Sequence, residues 1–275
     1  MEKNRLDVEM EERGLAHSRS LAQKLIMAGD VRVNGQVILK PAVKVMRSDQ
    51  IDLAQAPRFV SRGGEKLVAA LEAFRLTELA GRICVDVGAS TGGFTDCLLQ
   101  HGAQKVYAVD VGYGVLDWKI RNDQRVVVME RTNARFITSF DDSITLVTID
   151  ASFISLSILL PVIKSWFKNQ PAEVVALIKP QFEAGRAETA KGSGVIRDPK
   201  IHRAVLERTL GFAQASDFQL LGLIKSPLTG PKGNIEFLVH LSYPKTSERD
   251  MSELIDPLFI EINEPVNQTP DSDLN

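Results

Sequence analysis

Five short apolar runs, separated by breaks and helical patterns, dominate residues 82–179 and leave few folds open. They are "RICVDVG" (82–88), "KVYAVDVG" (105–112), "RVVVMERT" (125–132), "ITLVTID" (144–150) and "EVVALIK" (173–179). Their apolar character is nearly continuous rather than alternating, so both faces of each strand must be covered, and intervening helices supply the cover. "GGFTDCLLQHG" (92–102) is the helix after the first run, and "DPKIHRAVLERTLGFAQAS" is a long one starting after Pro199. "FQLLGLIKSPLTGPKGNIEFLVHL" reads as two strands joined by a Gly/Pro loop and so antiparallel to each other. The pattern predicts an α/β domain with six parallel strands and a last antiparallel one.

Ahead of it stands a different grammar. "RLDVEMEERGL" reads as a short helix ending near Gly14, and "SRSLAQKLIMAGD" as a second, with Ser18 as its cap and Gly29 at its C-terminal end. "VRVNGQVI" places strand residues around Asn34-Gly35, a type I′ hairpin signal, and "AVKV" and "QIDL" complete a small α+β unit. Such a unit is too small to hold an enzyme pocket. Its order, RLD…RGL…SR…LI..G.V.VNG…KP…D.I over Arg5 to Leu53, resembles the S4 RNA-binding domain of ribosomal protein S4 and several RNA-modifying enzymes. The resemblance implies that Arg5, Arg19, Lys24 and Lys40 touch RNA phosphates; each taken singly is equally an ordinary surface charge.

Charge distribution agrees with a polyanionic partner. The net charge is only −2, but Arg13–Lys66 carries ten Lys/Arg against four Asp/Glu. From Thr246 to Asn275 one Arg stands against eight acids, which predicts a solvated, mobile acidic tail. The two cysteines, Cys84 and Cys97, show no metal-ligand spacing and read as small buried hydrophobes, so no metal is expected. The chain starts without an apolar leader and has no membrane-length apolar run, which predicts a cytoplasmic protein with no membrane partner. Nothing in it specifies an oligomeric state. The expected division is 1–56 RNA-binding, 57–62 linker, 63–245 catalytic and 246–275 tail.

The turn after the first strand, Gly88-Ala89-Ser90-Thr91-Gly92-Gly93, lacks the second glycine of the dinucleotide fingerprint, since that place is Ser90. Asp86 and Asp110 stand at strand ends beside it, Asp110 about where an acid meets ribose hydroxyls. The stretch DVGASTGGF, Asp86 to Phe94, looks like an S-adenosylmethionine loop, with a carboxylate near the cofactor's amine. Tyr113 and Asn133 are candidates to wall the adenine. In open α/β sheets ligands sit outside the carboxyl ends of the strands. Asp150 and Lys179 end two strands, Glu236 begins the antiparallel one, and Lys66 opens a helix after Ser61-Arg62-Gly63-Gly64. All four are expected at one sheet edge.

The order Lys–Asp–Lys–Glu resembles the tetrad of FtsJ-like ribose 2′-O-methyltransferases. With the S4-like module in front, residues 1 to about 242 resemble the TlyA family, labelled haemolysins and also ribosomal RNA 2′-O-methyltransferases. SRGGEKL, TIDASFISL, LIKPQFEAGR, GVIRDP and SPLTGPKGNIEFL stand at its motifs, while Phe59 occupies a linker position where that family can carry tryptophan. The resemblance implies a class I, Rossmann-like methyltransferase sheet, S-adenosyl-L-methionine as cofactor, and ribosomal RNA or ribosomal subunits as partner. It also implies Lys66, Asp150, Lys179 and Glu236 as catalytic residues. A lysine of ordinary pKa, ~10.4, is almost fully protonated at neutral pH. Burial and a second ammonium lower that value, so Lys179 is expected as base, with Lys66 assisting and Asp150 and Glu236 holding the amines. Arg62, Arg186, Lys191 and Arg197 are expected near RNA. A non-catalytic ribosome-assembly factor and a pore-former are the competing readings; the intact tetrad opposes the first, and the lack of an amphipathic hairpin opposes the second.

Overall fold

The computed structural model describes residues 3–16, 18–53, 58–184, 194–230 and 232–260. The chain divides into two compact units, Met1–Arg58 and Phe59–Asn275.

In the first unit, β1 (Lys3–Arg5) leads directly into α1 (Leu6–Glu12), followed by α2 (Arg19–Ala28). Ser18 accepts a hydrogen bond from the Leu21 N–H and Gly29 closes α2 in the left-handed region, as the capping residues predict. β2 (Val31–Val33) and β3 (Gln36–Val37) flank Asn34 and Gly35, which have φ of 49° and 82°, the type I′ signature. β5 (Ile51–Leu53) pairs with β2, whereas β4 (Lys44–Met46) pairs with β1. β1 was not expected: Arg5 reads as helix locally, but pairing with β4 holds it extended. Leu6, Met10, Ala22, Ile26 and Val31 form the core of this unit.

The second unit begins with Phe59, which is buried, so the segment expected as linker contributes to a core. α3 (Gly63–Ala73) precedes a sheet of β6 (Ile83–Val87), β7 (Lys105–Val109), β8 (Val126–Met129), β9 (Leu146–Ile149), β10 (Ala172–Ile178), β11 (Gln219–Lys225) and β12 (Phe237–Tyr243). Spatial order is β11-β12-β10-β9-β6-β7-β8. β12 runs antiparallel to both neighbours and the other pairings are parallel, which is the sheet expected. Alternate residues face opposite cores: Val85, Tyr107, Val147 and Val174 one way, Cys84, Val106, Leu146 and Val175 the other. This is why the strands read as unbroken apolar runs. α6 (Leu156–Trp166) and α8 (Pro199–Ala215) cover the first face; α3 and α4 (Gly93–Gln100) cover the second. The short α5 (Trp118–Arg121) and α7 (Pro180–Glu183) lie between.

The acidic segment departs from expectation in part. α9 (Ser252–Ile255) docks with Ile255 fully buried and Leu254 beside it, because two apolar residues in a charged stretch find the sheet core. Residues 261–275 lie outside the described residues.

Candidate active site

The turn after β6 is shaped by close backbone approach. Gly88 has φ of 85°, and a Cβ there would lie 2.9 Å from the Asp150 carbonyl oxygen, so only glycine lets β6 and β9 converge. A Cβ on Gly93 would lie 2.9 Å from the Gly64 N, which brings the start of α3 against the turn. Ser90 takes φ of 50°, uncommon for a non-glycine residue, and its N–H donates to Asp110 Oδ2 at 2.8 Å. The Gly112 N–H donates to Asp110 Oδ1 at 2.7 Å. One carboxylate thus fixes both the turn and the loop after β7.

Two cavities meet at this turn. One of about 470 Å³ is lined by Gly88, Ser90, Asp110, Val111, Asn133, Ala134, Phe153 and Ile158, among others. The other, about 330 Å³, is lined by Ser61, Arg62, Lys66, Ala89, Thr91, Gly93, Phe94, Lys179 and Glu236. Gly88, Ser90, Asp150 and Ser152 border both, so the two cavities adjoin there.

The four expected catalytic residues converge in the smaller cavity as two ion pairs. Lys66 Nζ lies 2.6 Å from Glu236 Oε2, and Lys179 Nζ lies 2.5 Å from Asp150 Oδ1. Lys179 also donates to Ser152 Oγ at 3.2 Å and to the Asp150 carbonyl at 3.3 Å. Lys66, Lys179 and Glu236 are buried, and the Asp150 side chain keeps about a fifth of its surface exposed. Burial without partners would carry a large desolvation cost, which the paired arrangement offsets.

Several neighbours escaped the sequence reading. Gln181 donates to Glu236 Oε1 at 3.4 Å, while a Cβ on Gly230 would lie 2.6 Å from that same oxygen. The buried Asn234 holds its loop by accepting from the Ile196 N–H at 3.0 Å and donating to the Gly194 carbonyl at 2.9 Å. Glu183 accepts from Ser155 Oγ at 2.6 Å and from the Leu156 N–H at 2.8 Å, and burial raises its carboxyl above the usual range. It thereby ties the loop bearing Asp150 and Ser152 to the turn bearing Lys179. Phe153 stands 89% exposed at φ of 64°, its ring centroid 4.8 Å from that of Phe182. The only local signal for these residues is their position within a few places of Asp150, Lys179 or Glu236.

Three of the residues expected at the cofactor, Asp86, Gly92 and Tyr113, line neither cavity. Asp86 is fully buried: Thr95 Oγ1 donates to it at 2.6 Å, Thr148 Oγ1 at 3.1 Å, and burial pushes its carboxyl up to about 7. It borders neither cavity and secures the root of the turn, because its strand position points inward between β9 and α4. Tyr113 lies outside both cavities, largely exposed, under the Arg131 guanidinium. Gly92 sits behind the turn against Leu116 and Ile120. Asn133 does line the larger cavity.

Of the basic residues expected at RNA, Arg62 lines the smaller cavity and Arg197 is exposed. Lys24 and Lys40 are exposed on the first unit. Arg5 and Arg19 both donate to the buried Asp7, at 2.9 Å, and Arg5 chiefly holds that carboxyl well below its usual range. Arg186 and Lys191 lie outside the described residues. Among the described residues no cluster of His, Cys, Asp and Glu is arranged to hold a metal, and no helix is long and apolar enough to cross a membrane.

Comparison with known proteins identifies both units of the chain. The family model for an FtsJ-like methyltransferase matches residues 59–243, and that for an S4 domain matches residues 4–51. A Bacillus subtilis protein described as a candidate rRNA methyltransferase, YqxC, is 49% identical over 88% of this chain and 86% of its own length. The 16S/23S rRNA (cytidine-2′-O)-methyltransferase TlyA of Mycobacterium tuberculosis is 45% identical over 86% of this chain and 89% of its own. A solved Streptococcus thermophilus structure described as a candidate hemolysin superposes with a TM-score of 0.69. It is 41% identical and covers 94% of this chain and 96% of its own.

Proposed function

The chain belongs to the FtsJ-like methyltransferase family with an S4 domain ahead of the catalytic unit, and we propose that it methylates a ribose 2′-oxygen of ribosomal RNA with S-adenosylmethionine as donor. The observation that carries the reading is Lys179. It is a buried amine at the end of β10, in a cavity adjoining the one that Asp110 borders. Relatives that align over most of the chain are named as rRNA methyltransferases, one of them as a cytidine-2′-O enzyme.

The residues present fit the cofactor. The Gly88 backbone has no side chain to obstruct the turn, Asp110 offers lone pairs to ribose hydroxyls, and Val111, Ala134 and Ile158 give apolar walls for a purine. When bound, S-adenosylmethionine supplies an electrophilic sulfonium methyl. The protein's share is position and proton transfer. Lys179 acts as the neutral amine, its own proton passed to Asp150 or solvent: Nζ then accepts the 2′-OH proton, which raises the nucleophilicity of the oxygen, and Asp150 and Ser152 orient that amine. Lys66, fixed by Glu236, borders the same cavity and keeps a positive charge beside the incoming hydroxyl. Phe153 presents an aromatic face at the mouth on which a nucleobase can stack.

Mass spectrometry of ribosomal RNA ribose methylation, with and without the protein, tests the reading. One or more 2′-O-methyl nucleotides should disappear with the protein and return on complementation, and Lys179→Met should not restore them. An unchanged methylation profile removes the proposal.

A further inference from the structure

The segment after Asp110 exposes more apolar surface than the cofactor cavity uses. Tyr113 is 68% exposed and Trp118 is 78% exposed, with Val111 and Val115 also exposed between and beside them. The segment is held rather than loose. Leu116 is buried, the Asp117 N–H donates to the Thr91 carbonyl at 3.1 Å, and the Arg131 N–H donates to the Gly112 carbonyl at 2.9 Å. It therefore runs along the outside of the cofactor turn with its rings turned to solvent.

Arg131 gives the patch its chemistry. Its guanidinium carbon lies 4.0 Å from the centroid of the Tyr113 ring. Nearby Arg121 and Arg125 are each paired with a carboxylate, Glu130 and Asp123, whereas Arg131 has no such partner among the described residues. An exposed cation stacked on an exposed ring, with a second ring close along the chain, offers flat faces for bases and a charge for phosphate. Duplex RNA hides its base faces, so the matching ligand is single-stranded. A second copy of the chain fits less well, because closing an apolar interface over Arg131 would bury an unpaired charge.

We propose that Tyr113, Arg131 and Trp118 form a stacking surface for single-stranded nucleotides of the RNA substrate, next to the catalytic cavity. The proposal rests on the RNA-methylation reading and adds a contact outside both the S4 domain and the tetrad.

Tryptophan emission tests it directly. The chain has two tryptophans, and Trp166 is fully buried, so quenching by a base reports on Trp118. A short single-stranded ribooligonucleotide of mixed sequence, added to the full chain, should quench emission saturably, and Trp118→Phe should abolish the signal. Arg131→Glu and Tyr113→Ala should each weaken binding at least about fivefold, the low end for losing one stacked base. S-adenosylmethionine affinity, measured by calorimetry, should stay unchanged in both and shows that they remain folded. Equal quenching by a duplex of the same length overturns the proposal, and so does quenching by S-adenosylmethionine alone with no further effect of RNA. Quenching that grows with protein concentration in the absence of RNA assigns the patch to a second copy and also overturns it. Unaltered RNA binding by both variants, with methylation intact, removes the surface but leaves the enzyme reading standing. Sensitivity of binding to Arg131→Glu in a protein that methylates no ribosomal RNA keeps the surface and removes that reading.

Discussion

Lys66 and Glu236 stand 170 positions apart in the chain, yet their side chains form a buried ion pair of 2.6 Å. The pair joins the first turn of α3 to the residue before β12. Removing one member strands the other's charge in a buried position, so Lys66→Met should destabilise the catalytic unit by about 3–5 kcal/mol. Lys66→Met combined with Glu236→Gln should recover most of that loss in denaturant melts, with methylation still abolished. Equal stability of the single and double variants would show that the pair does not close the fold at this edge.

Lys179 should be needed for transfer and not for folding. Lys179→Met preserves bulk but cannot accept a proton, so turnover should fall at least ~100-fold while cofactor affinity changes little. Lys179→Arg keeps the charge beside Asp150, but a guanidinium stays protonated at working pH. Full methylation by the arginine variant would leave Lys179 only an orienting role.

Asp110 joins Ser90 to Gly112 through its two carboxylate oxygens and borders the larger cavity. Asp110→Ala removes an acceptor for the cofactor ribose as well as these two bonds. Cofactor binding measured by calorimetry should weaken by on the order of 1–3 kcal/mol. Unchanged affinity would remove the ribose assignment.

Asp86 gives the catalytic unit a pH-dependent stability. Burial raises its carboxyl to about 7 in the fold, against an ordinary value of 3.8. The buried site favours the neutral acid, so its contribution is fully present below about pH 4 and is lost as pH rises through about 7. Wild type should lose stability across that window relative to Asp86→Asn, by up to about 4 kcal/mol, at 1.36 kcal/mol per pH unit. Parallel stability-versus-pH curves for the two proteins would contradict this.

Residues 59–275 form a compact unit of their own and hold all four tetrad residues. That fragment should bind S-adenosylmethionine like the full chain but hold ribosomal RNA more weakly. Its RNA affinity should also fall less steeply with salt, because the phosphate contacts of the first unit are gone. Identical salt slopes would take RNA binding away from the S4 domain.

Much of this was legible in the chain because the deciding physics is local. A strand covered on both faces must be apolar throughout, so β6, β7, β9 and β10 announce themselves. Ser18, Gly29 and Asn34-Gly35 act through the stereochemistry of one or two residues and appear where spacing puts them. Even the gathering of Lys66, Asp150, Lys179 and Glu236 at one edge follows from strand ends and the carboxyl-edge rule. Tertiary structure alone decided which ammonium meets which carboxylate, because that depends on β12 lying between β10 and β11. It turned Asp86 inward onto two threonines, occupied Arg5 and Arg19 with Asp7, and drew Ile255 from an acidic stretch into the core. In each case the outcome rests on side-chain direction and on partners distant in sequence. Spacing along a chain carries no record of either until the backbone has brought them within a few ångströms.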